Sequence, residues 1–292
     1  MSGKSRKHTI FRALIAVFLP AVLIAALFCL PVFADMGPKP SVHVYADGLP
    51  DHTCYATLLG TTEAYGPYSV ISDGRVGSTD GEADAYDAFR AYAKATEAVA
   101  ADGSEVYYFW GQLFTLKGNG FSWGYYPPQS FKVLIYDPEN GRVYASEKTG
   151  RYAFESYFRV TLLDDGTLSL KKEPHLAGNI TSFLLRVVIT LAVELFLALL
   201  FGYRKKREIR LIIIVNIITQ VILNLILSYM DYYSGTLAWL FFFPVMELVV
   251  FVIEAAAYAR GLRSHSKKRA VLYALIANAA TAFIGLFIAL NI

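Results

Sequence analysis

The C-terminal part of the chain alternates long apolar runs with short polar ones. Apolar stretches fill residues 180–203, 209–229, 236–259 and 270–291, each close to the roughly 20 residues an α-helix needs to cross a hydrocarbon core. The segment between the first two holds Arg204, Lys205, Lys206, Arg207 and Arg210, and the one between the last two holds Arg260, Arg263, Lys267, Lys268 and Arg269. The intervening loop, residues 231–235, has no cation. Positive loops stay in the cytoplasm, so both basic loops are expected inside and the C-terminus outside. A fifth apolar run, residues 13–33, comes after Lys4, Arg6, Lys7 and Arg12 and ends at Val32-Phe33-Ala34. This is the order of a secretory signal cut after Ala34. Pro20 and Pro31 interrupt the run, which favours a signal over an uncleaved span. Export of residues 35–178 predicts the same orientation of the four helices independently.

Residues 35–178 have a different rhythm. Runs rich in Val, Tyr and Phe, bounded by Gly, Pro or Asp, predict strands over 41–46, 55–59, 106–116, 131–136, 142–146, 152–163 and 167–170. Gly74, Asp137-Pro138-Glu139-Asn140-Gly141 and Asp164-Asp165-Gly166 read as turns, the last two as hairpins. One segment is helical instead. Thr79 and Glu82 form a capping box, Tyr86, Phe89, Tyr92 or Ala93, Thr96 and Val99 recur at helical spacing, and Gly103 closes it. The expected fold class is an α+β membrane protein. Residues 1–34 are the signal peptide, residues 35–178 an extracytoplasmic, β-rich, sandwich-like and antiparallel domain with one inserted helix, and residues 179–292 a four-helix transmembrane bundle.

Composition agrees with this division. Only 17% of the 292 residues are charged and 55% are hydrophobic, which argues against a soluble single-domain enzyme. Residues 35–178 hold 12 Lys/Arg against 19 Asp/Glu, and residues 179–292 hold 11 against 5. The basic excess sits in two loops beside spans, where it sets topology; nucleic acid is not an expected partner. With Cys29 inside the first apolar run, Cys54 has no partner in the mature chain, so no disulfide framework is expected.

Catalytic chemistry is hard to find. The histidines are His8, His43, His52, His175 and His265, none within a predicted span, and no span contains aspartate. Intramembrane zinc, Ser/His and paired-aspartate proteases are therefore excluded. No P-loop, dinucleotide fingerprint, zinc-ligand spacing or nucleophile elbow is present, so no catalytic residue, cofactor or metal is assigned. Asp47, Asp51 and His52 carry metal-ligand atoms, but around Gly48 and Pro50 they read better as a solvated turn.

Two groups of residues remain as candidate sites. Polar side chains form a stripe on every span: Arg186, Thr190 and Glu194; Asn216, Gln220 and Asn224; Glu247 and Glu254; Asn278 and Thr281. Each spacing keeps its members on one helix face, and ionisable groups are costly toward lipid, so these faces should turn inward. Counted from the cytoplasmic ends, Glu194, Asn216, Glu254 and Asn278 fall at one depth, with Gln220 and Glu247 nearer the midplane. The second candidate is the aromatic stretch around Trp123, Tyr125 and Tyr126, whose rings suit stacking on a ligand but read better as strand core and turn packing.

The mature start Asp35-Met36-Gly37-Pro38-Lys39-Pro40-Ser41, the segments Tyr55-Ala56-Thr57-Leu58-Leu59 and Gly66-Pro67-Tyr68, and Glu247 and Glu254 before Tyr258 resemble a group of uncharacterised exported membrane proteins of Gram-positive anaerobes. The resemblance implies a bacterial cell envelope and transfers no activity. The leading functional expectation is a non-enzymatic extracytoplasmic domain that binds an envelope ligand or membrane partner protein and is coupled to the bundle through a short link. The alternative is a small proton- or cation-coupled carrier using the intramembrane glutamates, which four helices would build as a homo-oligomer.

Overall fold

The computed structural model describes residues 38–70, 80–99, 105–116, 120–174 and 176–291. The signal segment, the turn at Gly74, Thr79 of the capping box and Gly103 lie outside the described residues. Two compact units are present, one spanning Lys39–His175 and one containing Leu176–Ile292.

The first unit is built from strands β1 (Ser41–Asp47), β2 (Cys54–Gly60), β3 (Tyr108–Phe109), β4 (Phe114–Leu116), β5 (Gly120–Trp123), β6 (Ser130–Asp137), β7 (Arg142–Ala145), β8 (Thr149–Gly150), β9 (Glu155–Leu162) and β10 (Leu168–Lys172), with helix α1 (Asp80–Val99) inserted after β2. One sheet runs β10-β9-β1-β5 and the other β3-β2-β6-β7, with β4 on β2 and β8 on β6. Alternation along the strands builds the layers. Val42, Val44, Phe158 and Val160 of one sheet meet Ala56, Leu58, Val133 and Ile135 of the other in a shared core. The opposite faces of β2 and β6 supply Tyr55, Leu59, Leu134 and Tyr136, which pack on Ala85, Phe89 and Ala93 of α1. That double covering leaves every residue of β2 buried.

Two details differ from the sequence expectation. The sheet is not wholly antiparallel, because β1 and β9 pair in parallel from Ser41↔Glu155 to Asp47↔Thr161. A parallel pair needs a long crossover, and the chain between them supplies one by building the second sheet. The single strand expected over 106–116 is two short strands. The break falls at Trp110, which is fully buried and donates its indole N–H to the Thr62 carbonyl at 2.9 Å, followed by Gly111 at φ 75.

The second unit consists of α2 (Leu176–Leu200), α3 (Lys206–Ser234), α4 (Thr236–Gly261) and α5 (Lys267–Asn291). All four are long and apolar enough to span a membrane. Consecutive helices pack side by side, and α5 closes the ring against α2. Their outward faces carry Val188, Phe196, Ile218, Leu225, Phe283 and other exposed apolar residues, whereas Glu194, Asn216, Glu254 and Asn278 are buried. This inside-out polarity suits a lipid surround, and the unit is that of a multi-pass membrane protein. A single residue, Gly235, joins α3 to α4 at φ 83 and ψ 171, a conformation essentially confined to glycine.

Candidate functional site

All four helices contribute to one polar layer within the bundle. From α2 comes Glu194, from α3 Asn216 and Thr219, from α4 Glu254 and Tyr258, and from α5 Tyr273 and Asn278; Glu194, Asn216, Glu254, Tyr258 and Tyr273 are all 0% exposed. Ala270, Ala274 and Ala277 lie on the buried face of α5 with Tyr273 and Asn278. These small residues let backbones approach, so the polar side chains can reach across helices.

Glu254 is the hub. Asn278 donates its amide to Glu254 Oε2 at 2.7 Å and to the Ala274 carbonyl at 2.9 Å. The Thr219 hydroxyl lies 2.6 Å from Glu254 Oε1 and 3.0 Å from each of the carbonyls of Val215 and Asn216. Thr219 has one hydroxyl proton and three oxygen neighbours. That proton serves either Glu254 Oε1, the nearest of the three, or a carbonyl of its own helix. Glu194 sits beside Glu254; its Oε2 accepts from the Tyr258 hydroxyl at 3.3 Å and its carbonyl from the Tyr273 hydroxyl at 3.2 Å. Glu194 Oε1, Asn278 Oδ1 and both amide atoms of Asn216 are buried without a well-formed hydrogen bond, although the Asn216 amide lies close to the Glu194 carboxyl group. Among the described residues, no cation lies within ion-pair distance of either glutamate.

The structure thus brings together Glu194, Asn216, Glu254 and Asn278. Gln220 is buried beyond this layer, where its carbonyl accepts from the Asn224 amide at 2.8 Å. Glu247 is half-buried with its Oε2 unpartnered, and makes no hydrogen bond to the cluster. Sequence reasoning missed Thr219, Tyr258 and Tyr273. Thr219 is three residues after Asn216 and Tyr258 four after Glu254, so helical spacing places both on the relevant faces.

At the end of the bundle that carries both basic loops, Glu208 joins them. Its carboxylate accepts from the Arg263 and Ser264 backbone N–H groups at 2.8 and 2.7 Å, and from the Ser264 hydroxyl at 2.7 Å. His265 lies 3.3 Å from the Gly202 carbonyl.

The aromatic candidate needs correction. Trp123 is 1% exposed and lies in the core between the sheets, where its indole N–H points at Tyr68 Oη and the Tyr125 carbonyl, each 3.0 Å away. The reason is alternation along β5, which turns Phe121 and Trp123 inward and leaves Ser122 exposed. Tyr125 and Tyr126 keep partial exposure and pack on the same core. Tyr126 adopts φ 47, and Lys39 Nζ stands 5.3 Å from its ring centroid. A three-ring platform is therefore absent. Asp47, Asp51 and His52 do not converge either: Asp47 pairs with Arg159 at 2.8 Å and Asp51 is exposed.

Compared with protein families, curated proteins and solved structures, the chain matches none.

Proposed function

We propose that the protein is a non-enzymatic, ion-coupled membrane protein in which Glu194 and Glu254 bind and release a proton in exchange for a monovalent cation or another proton. The observation that carries this reading is the pair of fully buried carboxyl groups with no neighbouring cation among the described residues. Interhelical adhesion needs hydrogen bonds but no ionisable group. Nor does adhesion account for oxygens on Glu194, Asn216 and Asn278 that lack a well-formed hydrogen bond in the same layer. Such oxygens are the hard ligands an alkali cation or a hydrated proton takes.

In the proposed orientation the signal is removed, residues 35–178 lie outside the cell, the basic loops face the cytoplasm and the C-terminus is external. The likeness of the mature start to exported proteins of Gram-positive anaerobes supports a cell-envelope setting. Ion flux into proteoliposomes holding the full chain tests the coupling. Glu194→Gln and Glu254→Gln should each abolish flux, while Glu247→Gln should retain a measurable part. If all three fold and transport as the parent does, the glutamates are not the titrating groups.

A second role, recognition of an envelope component by the exported domain, is favoured by one observation. Tyr126 is held in left-handed backbone at a partly exposed loop, and strain of this kind gathers at binding sites. Tyr125→Ala with Tyr126→Ala should then release the protein from isolated cell-wall material, and unchanged retention would count against the role.

A further inference from the structure

A different set of metal-ligand atoms converges at one end of the β-rich unit, and the backbone explains why. His52 sits in the bend that leads into β2, two residues before Cys54, the first residue of that strand. In the antiparallel register Tyr55 pairs with Tyr136, so the next position sets Asp137, the last residue of β6, across from Cys54. An imidazole, a thiol and a carboxylate are thereby brought together from two strand ends, with one ligand atom from each lying within 4.8 Å of the others. Glu139 flanks them from the following turn, with Oε2 3.3 Å from His52 Nδ1.

We propose that His52, Cys54 and Asp137 form a binding site for a divalent transition metal, with zinc the ion of best fit, water in the fourth position and Glu139 holding the far ring nitrogen of His52. The donor set decides the metal class. Calcium and magnesium take oxygen ligands, whereas a thiolate, an imidazole and a carboxylate together suit zinc. Tetrahedral zinc with bonds of about 2.0–2.3 Å spaces its ligand atoms roughly 3.3–3.6 Å apart. His52 Nε2 and Asp137 Oδ1 are now 2.7 Å apart, and the whole set spans up to 4.8 Å, so side-chain shifts of about 1 Å would close the site.

The surroundings resemble an outer shell. Asp137 is 2% exposed, and its two oxygens accept from the Glu139 N–H at 3.0 Å and the Asn140 amide at 2.8 Å. Contacts of this kind aim a ligating carboxylate. Cys54 is 1% exposed and carries no disulfide, while the His52 side chain, at 26% exposed, leaves a route from solvent. A His52–Asp137 ion pair and the packing of Cys54 in the core would account for the residues separately, but neither requires the thiol to stand opposite a buried carboxylate. On binding, the Cys54 S–H bond breaks and an S–metal bond forms. The thiol proton goes to solvent; His52 gives up the Nε2 proton that faces Asp137, keeps one on Nδ1 toward Glu139 and releases any other to solvent, so that the Nε2 lone pair takes the metal as bound waters leave.

The test uses the purified full chain in detergent, stripped with a chelator and titrated with cobalt(II) as the probe. The expected result is saturable uptake with a thiolate-to-cobalt charge-transfer band that zinc removes. Cys54→Ser should abolish the band. His52→Ala and Asp137→Asn should weaken uptake by more than the roughly 10–100-fold typical of losing an outer-shell contact. His52 is partly exposed, so His52→Ala keeps the test sound if the buried Cys54 substitution impairs folding, and circular dichroism checks each variant. No band in the parent, a band that survives in Cys54→Ser, or undiminished uptake by His52→Ala would overturn the site.

Discussion

Replacing Glu254 separates a neutral carboxyl group from an ionised one. Glu254 accepts from Asn278 at 2.7 Å and bonds with Thr219 at 2.6 Å, and it is fully buried. In Glu254→Gln the new amide N–H donates to Thr219 Oγ1, and the remaining oxygen still accepts from Asn278. The variant reproduces a protonated acid and should cost less than about 1 kcal/mol. Glu254→Ala loses both bonds, each worth about 0.6–1.7 kcal/mol between membrane helices. It also leaves a cavity where large-to-small core changes cost about 2–5 kcal/mol. A total near 3–5 kcal/mol is expected once overlap between these contributions is allowed for. Reversible unfolding in mixed micelles, read by helical circular dichroism, measures both variants. Equal destabilisation by Gln and Ala would refute the reasoning, since it would mean that the site needs a charge an amide cannot supply.

The geometry sets three further outcomes. Glu208→Ala removes three hydrogen bonds to a carboxylate; it should cost about 2–4 kcal/mol and expose residues 262–266 to protease in detergent. Gly235→Ala forces a side chain into φ 83 and ψ 171, and a loss of about 1–3 kcal/mol should appear in the same unfolding assay. Asp165 accepts from the Thr167 hydroxyl at 2.7 Å and the Thr167 N–H at 2.9 Å, and these bonds hold its carboxyl below the ordinary value of 3.8. A depressed folded value means that its contribution is present above the ordinary value and is lost as pH falls through the folded one. An NMR titration should show Asp165 ionising below 3.8, and Thr167→Ala should move it back up.

The bundle was more legible in the sequence than the β-rich unit, for physical reasons. A span leaves a long apolar run, and a costly polar residue within it must turn inward, so counting residues from the loops was enough to set Glu194, Asn216, Glu254 and Asn278 at one depth. Thr219, Tyr258 and Tyr273 escaped because hydroxyl groups are tolerated in apolar helices and carry no charge to mark them. Glu208 escaped because one acid among cations reads as charge balance, whereas its partners are backbone groups 55 and 56 residues away. In the β-rich unit the local pattern located the hairpins at residues 137–141 and 164–166, where pairing partners are adjacent in sequence. The parallel β1–β9 pair and the meeting of His52 with Asp137, 85 residues apart, depend on long-range register that no local window contains. Composition drew attention to the Trp123 ring as a platform, whereas strand alternation decides which way it points and makes it strand core, the reading the sequence favoured.

The central proposal is that Glu194 and Glu254 bind and release a proton, and infrared difference spectroscopy of the full chain in lipid addresses it most directly. The carbonyl stretch of a protonated carboxyl group is resolved from that of a carboxylate, and Glu194→Gln, Glu254→Gln and the double variant assign it. The account predicts one protonated-acid band from this pair at neutral pH in the parent, shifted by either single substitution and absent from the double variant. A parent spectrum with no such band, or a band unchanged in the double variant, would contradict it.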